Sequence, residues 1–278
     1  FSYAQSNIQR AREIVSNRGE VQLLINTNNI SLSNLSKIVS ISNRQSKDSW
    51  LCYANKKELE TLINNNISFT VFERKTPKSI SMATDTSMMS SWNKYPTYST
   101  YVQMMQGYAQ HYSNICKLDT IGYSTDNRLL LCLKLSSNNQ NQNKPKFFYS
   151  SSIHGDEVTG AYLMLRLIDY MLKNQQDTRV SNLLNNMQIF ICPFANPDGT
   201  YAGGNNDVSE ATRYNANYID INRNFPDPIE GQHPDNNSTQ IETQAFMNYA
   251  INNQFDVNCN LHGGSEVVNY PFDCWTSS

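Results

Sequence analysis

The sequence contains no apolar run approaching the ~18–20 residues needed to cross a bilayer, so no helical membrane span is expected. It also lacks any block of like charge: 22 Lys and Arg against 24 Asp and Glu leave a formal net charge of −2. Binding to phosphate-rich partners needs a clustered basic surface, so neither nucleic acid nor an anionic membrane is an expected partner. None of the six cysteines falls into a C-x-x-C pair, which argues against a structural thiolate zinc site. Cys192 and Cys259 sit in apolar, strand-like runs and read as buried free thiols. The initiator Met is absent and the chain starts at Phe1, as it would after removal of a leader, so an extracytoplasmic location is compatible. Histidine is scarce, with four residues in 278, which makes the placing of each one informative.

The pattern of elements divides the chain. A helix near 5–17 is followed by a strand at 20–26 (EVQLLIN), a Ser-capped short helix at 31–38 and strands at 38–42 and 50–54. A helix at 56–66 and a strand at 68–74 (SFTVFER) complete a β-α-β-β-α-β order, the ferredoxin-like split arrangement. Residues 75–94 show no periodicity and read as a connector. The expected division is a small α+β domain over 1–80, a linker over 81–94 and a larger domain over 95–278. In the larger domain, helices at 99–112, 158–174 and 239–252 alternate with strands at 129–135, 146–152, 187–194 and 255–263. That alternation predicts an α/β fold with a mixed, mainly parallel sheet flanked by helices. Ligands of such sheets bind in the crevice outside the carboxyl ends of the strands.

Two of the four histidines lie at such ends. His154 opens HGDE directly after the strand at 146–152, and His262 opens HGG after the strand at 255–263. Asp156 and Glu157 alone need no function, because acidic residues suit the first turn of a helix. Zinc in hydrolytic sites takes three protein ligands and leaves a fourth position for water. His154 and Glu157, three positions apart around a tight turn, can converge on one ion, and His262 from a neighbouring strand supplies a third ligand. His111, in a helical run, and His233, in a polar loop, have ordinary surface explanations. Between the two histidine motifs, residues 196–228 carry NPDG, then Arg213, then Asp220-Ile-Asn-Arg-Asn-Phe-Pro. Two arginines in one such loop make a carboxylate-binding site plausible, since guanidinium offers a fork of donors matched to a carboxylate.

Taken in order, HGDE (154–157), NPDG (196–199), Arg213, DINRNFP (220–226) and LHGGSEVVNYPFD (261–273) resemble the zinc metallocarboxypeptidases, and most of all their carboxypeptidase N/E-type branch. The resemblance runs from about Tyr95 to the end of the chain. It implies that His154, Glu157 and His262 bind one zinc ion, the His₂Glu set of carboxypeptidase A. It implies further that Asp220 holds His154 in its ligating tautomer, that Arg213 stabilises the developing oxyanion, and that Asn222 and Arg223 grip the free C-terminal carboxylate of a peptide. Asp273 falls where this branch receives a basic side chain, which implies release of C-terminal Lys or Arg.

The family's general-base glutamate and its closing tyrosine lie well downstream of the third ligand, so neither is assigned before Ser278. Glu266 does not stand at the base position, and a complete family sheet is not expected from these residues. A chain without its base is expected to turn over weakly or not at all. Digestive-type relatives carry a ferredoxin-like pro-segment, whereas the N/E branch usually does not. The resemblance therefore sets the expectation that residues 1–80 cover or chaperone the site and that cutting within 75–94 frees it. Two rival readings share the metal motif: a related zinc amidohydrolase or deacylase, and a non-catalytic zinc- or peptide-binding module.

Overall fold

The computed structural model describes residues 2–73, 80–137, 143–229, 231–264 and 267–270. The chain forms two compact units. The first joins the residues up to Thr76 with Asn217–Ser238 and the described residues from Gly264 on; the second holds Pro77–Ala216 and Thr239–Gly263.

The first unit opens with α1 (Ser2–Arg18). Gly19, at φ 79°, ends this helix in the left-handed conformation that glycine adopts without strain, and its N–H donates to Val15 O at 2.8 Å. There follow β1 (Glu20–Asn26), α2 (Leu32–Ser36), β2 (Ser40–Ser46), β3 (Ser49–Asn55), α3 (Lys56–Asn64) and β4 (Phe69–Val71). Ser31 caps α2, and Asn55 with Glu58 forms a reciprocal capping box on α3. The strands form one antiparallel sheet in the order β2-β3-β1-β4, so the expected β-α-β-β-α-β arrangement is present. Val21, Leu23 and Ile25 alternate inward along β1 and pack with Ala11, Leu35, Leu59 and Leu62. Each such aliphatic side chain contributes about 1.5–3 kcal/mol when fully buried.

In the second unit the stretch read as a linker is packed structure. β5 (Met82–Ala83) pairs in parallel with β6 (Tyr95–Pro96), and a 3₁₀ turn at Thr86–Met89 lies between them, capped by Asp85. Met89 is buried against Met104, with Met88 and Tyr162 beside it. The expected linker over 81–94 is corrected accordingly: side-chain caps and methionine packing hold it, and neither leaves a periodic pattern. The second correction concerns 95–278, which is not one continuous unit, because 217–238 groups with the N-terminal sheet.

The unit continues through α4 (Tyr98–His111), β7 (Cys116–Tyr123), β8 (Leu129–Leu135), β9 (Lys146–Ser151), α5 (Val158–Lys173), α6 (Thr178–Asn186), β10 (Gln188–Cys192), α7 (Pro197–Thr200), α8 (Ile241–Asn253) and β11 (Val257–Leu261). The sheet runs β11-β9-β10-β8-β7. It is mixed: β11, β9 and β10 are mutually parallel, while β8 is antiparallel to both β10 and β7. Leu131, Leu133, Ile189 and Ile191 face a core with Ala161, Met164, Leu165 and Ile168 of α5. The alternate residues Cys132, Phe148, Phe190 and Cys192 face Phe246 and Tyr249 of α8. The chain leaves β9 through α5 to reach β10 on one side, and returns through α8 to reach β11 on the other. That reversal makes the end of β9 a topological switch point, where such sheets open a crevice.

Candidate metal centre

Backbone register alone brings the two histidine motifs together. In the parallel ladder of β9 and β11, Leu261 stands opposite Ser151. His262 leaves β11 one residue later, and His154 leaves β9 three residues later. Between Ser151 and α5 the chain turns sharply: Ser152 takes φ 51° and its hydroxyl donates to Glu157 O at 2.9 Å. Glu157 N donates to His154 O at 3.1 Å, which closes the turn and puts both side chains on one side. Glu157 is the N-cap residue of α5 but makes no side-chain cap hydrogen bond, so its carboxylate is available to the cluster.

The donors form a small triangle. His154 Nδ1 lies 3.0 Å from Glu157 Oε1, His262 Nδ1 lies 3.0 Å from Glu157 Oε2, and the two Nδ1 atoms are 3.1 Å apart. Two ligands about 2.0–2.1 Å from one tetrahedral ion stand roughly 3.3–3.4 Å apart, so the triangle is close to that of a zinc site. Two imidazoles and a carboxylate are also a donor set that suits zinc. His154 is 2% exposed and the His262 side chain 37%, so one ligand is anchored in the interior and the other faces the opening. Among the described residues these are the one group of His, Cys, Asp and Glu whose ligand atoms converge. His111, by contrast, bonds Gly107 O within its own helix.

Glu157 is also held from the side. Gly263 N donates to Oε2 at 2.8 Å, and Arg213 Nη1 lies 3.4 Å from Oε1. Burial works to raise the pKa of this carboxyl. The hydrogen bonds from His154 and His262, the charge on His154 and the Gly263 N–H outweigh burial and hold it well below the usual carboxylate range. The group is therefore an anion ready to ligate a cation.

The NPDG stretch supplies the scaffold. Leaving β10, it runs beside the end of β9, with Ala195 N and Asn196 N donating to Ser151 O and Ser152 O at 2.9 and 3.0 Å. Asn196 Nδ2 donates to Ile153 O at 3.2 Å and to Arg213 O at 3.3 Å, tying the histidine turn to the arginine segment. A Cβ on Gly155 would lie 2.2 Å from the Gly199 carbonyl carbon, so the HGDE turn and the NPDG turn cross as backbone on backbone. Asp198 is sealed below, accepting from Ser124 Oγ at 2.6 Å, Asp126 N at 2.8 Å and Arg128 Nη1 at 2.7 Å. The sequence shows NPDG as a motif; the anchoring work of Asn196 and Asp198, and the whole part of Arg128, become visible only in three dimensions.

Of the residues singled out in the sequence, His154, Glu157, His262 and Arg213 meet within the second unit. Asp220, Asn222 and Arg223 belong to the first. Asp220 is buried and caps the 3₁₀ turn Ile221–Arg223, accepting from Asn222 N at 2.9 Å. Asn222 is half-buried and Arg223 exposed. Asp273 and Glu266 lie outside the described residues. Cys192 is buried and Cys259 half-buried, both as free thiols.

Residues 101–277, well over half of the chain, match the zinc carboxypeptidase family, and the chain belongs to that family. Carboxypeptidase D of Homo sapiens is 40% identical over 174 residues, covering 61% of this chain and 12% of that protein. Carboxypeptidase M of Mus musculus is 38% identical over 173 residues, covering 61% of this chain and 38% of that protein. The chain thus spans well under half the length of these relatives. Among solved structures, thrombin activatable fibrinolysis inhibitor superposes with a TM-score of 0.65 at 15% identity, over 93% of this chain and 75% of the other. Carboxypeptidase A from Helicoverpa armigera gives 0.62 at 18% identity, over 89% and 70%. Coverage of that extent takes in both units, and the shared fold is that of the zinc carboxypeptidases.

Proposed function

We propose that this chain carries the metal centre of a zinc metallocarboxypeptidase that releases Lys or Arg from peptide C-termini. The observation that carries the reading is the convergence of His154, Glu157 and His262 at adjacent parallel strand ends, with Arg213 against the same carboxylate. When bound, zinc would polarise the scissile carbonyl and lower the pKa of a water beside it. His154, Glu157 and His262 hold the ion, and Gly263 N–H with Arg213 keeps the Glu157 carboxylate oriented towards it.

Arg213, 3% exposed, offers guanidinium N–H groups to the oxyanion that develops when water adds to the carbonyl. The resemblance to the N/E-type branch gives Asp220 the task of holding His154 in its ligating tautomer. Asn222 and Arg223 pair with the peptide's terminal carboxylate, which makes the enzyme an exopeptidase. Asp273 receives the basic side chain of the residue released. The resemblance of DINRNFP and YPFD to the N/E-type branch supports these last assignments, and the names carboxypeptidase D and carboxypeptidase M among the relatives support cleavage at a peptide's C-terminus.

An extracytoplasmic site of action completes the proposal, and no helix among the described residues is long and apolar enough to cross a membrane.

The test is hydrolysis, by the zinc-loaded full-length protein, of matched peptides ending in Lys, Arg or Leu, each with a free or amidated C-terminus. Release of Lys and Arg from free ends only is the expected result. Equal cleavage of amidated peptides would point to an amidohydrolase, and stoichiometric zinc without turnover to a binding module.

A further inference from the structure

Cys132 and Cys192 meet face to face within the second unit. In the antiparallel pairing of β8 and β10, Leu135 stands opposite Ile189, Lys134 opposite Phe190 and Leu133 opposite Ile191. The next step of that register sets Cys132 opposite Cys192. Both side chains leave the sheet on the α8 side, packed with Phe148 and Phe190 and covered by Phe246 and Tyr249. Both residues are 0% exposed, and both are free thiols. Directly opposed residues of an antiparallel pair have Cα atoms about 4.5 or 5.5 Å apart, according to the pair type. Either separation lies within the roughly 4.4–6.8 Å that a disulfide spans.

The other cysteines are placed differently. Cys116 stands opposite Leu135 and Cys259 opposite Tyr149, while Cys52 belongs to the first unit, opposite Leu23. Among the described residues, Cys132 and Cys192 are thus the one pair of cysteines that strand register brings together. Electrostatics agrees: after burial, the charge of a Cys192 thiolate is the next cause that holds the Cys132 pKa up.

We propose that Cys132 and Cys192 form a disulfide-bonding pair, closed by exchange with a low-molecular-weight disulfide while the chain folds and sealed when α8 covers it. In the exchange, one cysteine thiolate attacks the reagent's S–S bond, which breaks to give a mixed disulfide and one reagent thiolate. The second cysteine thiolate attacks the protein sulfur of that mixed disulfide and expels the other reagent thiolate. One Cys–Cys bond is made, the two cysteines lose two electrons and two protons, and the reagent is reduced to two thiols. Burial sets the timing. α8 follows both cysteines in the chain, so this sheet face is open until Ile241–Asn253 docks. In the folded protein burial raises both thiol pKa values, which leaves little thiolate to attack. The redox state is therefore fixed at folding. The bond would close a loop that contains β9, the HGDE turn and α5. Cys192 also stands opposite Ser150 of β9, in the row just below the strand end that leads to His154.

The experiment makes the full-length protein by cell-free synthesis, with either dithiothreitol or a mixture of oxidised and reduced glutathione. Each product is quenched in acid, alkylated in urea and mapped by peptide mass. The glutathione sample is expected to yield the Cys132 and Cys192 peptides joined, lighter than their sum by the hydrogens lost. Its urea midpoint should lie about 1–2 M above that of the dithiothreitol sample, the scale of a disulfide closing a loop of this length. Oxidised glutathione added to the finished dithiol protein should link the pair at least about a hundredfold more slowly than during synthesis. Cys192→Ala should abolish the linked peptide and the midpoint shift together. Two free thiols in the glutathione sample, or either cysteine joined to another partner, would overturn the proposal. A linked pair without a higher midpoint would overturn the fit of the bond to the native sheet. Equally fast oxidation of the finished protein would overturn the sealing by α8.

Discussion

Leu261 of β11 stands opposite Ser151 of β9, and that one pairing delivers His262 to His154 across more than a hundred residues of chain. In a parallel ladder a slip by one residue would turn every side chain of β11 to the other face. The register is pinned from both sides of the sheet. Leu261 packs into the α5 core, and Asn260 on the opposite face donates to Ser150 Oγ at 2.7 Å. Metal geometry here is a consequence of strand packing.

Loss of one ligand should therefore cost metal and spare the fold. His262, the most exposed of the three ligands, is the cleanest test. His262→Ala is expected to lower zinc affinity by more than the roughly ten- to hundredfold typical of losing an outer-shell partner. Chelator competition measures this, and the far-ultraviolet dichroism should be unchanged.

Gly155→Ala acts on the same site from the backbone. Its Cβ would meet the Gly199 carbonyl carbon at 2.2 Å and Thr200 N at 2.4 Å, and neither is a flexible side-chain end. The two turns must move apart, at a cost of about 1–3 kcal/mol by the usual scale of overpacking. Urea unfolding should show that loss, and zinc affinity should fall with it although no ligand has been replaced.

Asp198 and Arg128 form an ion pair at 2.7 Å whose acid is wholly buried and whose base is 14% exposed. Breaking such a pair from one side leaves a buried charge uncompensated. Asp198→Ala is expected to destabilise by about 3–5 kcal/mol. The double variant with Arg128→Ala should lose clearly less than the sum of the two single changes, read by a double-mutant cycle in denaturant.

In the reduced protein, burial pushes the Cys116 thiol up to about 12 and raises the Cys132 and Cys192 thiols well above the ordinary thiol range too. A raised thiol pKa leaves little thiolate at pH 8, and thiolate is the reactive form. Iodoacetamide at that pH should leave these three unlabelled in the native protein and label them in urea, as read by peptide mass mapping. Labelling at native-state rates typical of free cysteine would show that the α5 and α8 faces of the sheet open readily.

Much of this was legible in the sequence, because the decisive signals were local. HGDE and LHGG each follow an apolar run bounded by glycine, so a strand end bearing a histidine could be read at both places. The β-α-β-β-α-β order of the first unit came from periodicity and the Ser31 cap, which the structure repeats, while the Asn55–Glu58 box became visible only in the structure. What escaped depends on tertiary contact. β7 (CKLDTIGY) mixes charge into its alternation and packs against α4 and α8. The 80–94 stretch is ordered by Met88 and Met89 finding Met104 and Tyr162. The attachment of 217–238 to the N-terminal sheet involves Gly19, Ser40 and Asn55, one residue between α1 and β1 and two at strand ends, with no shared motif.

X-ray absorption at the zinc edge of the metal-loaded protein measures the centre most directly. The predicted result is one zinc per chain with two imidazole nitrogens and carboxylate oxygen at about 2.0–2.2 Å, and no sulfur scatterer. Substoichiometric zinc, or a shell containing sulfur at about 2.3 Å, would contradict the assignment of His154, Glu157 and His262 as its ligands.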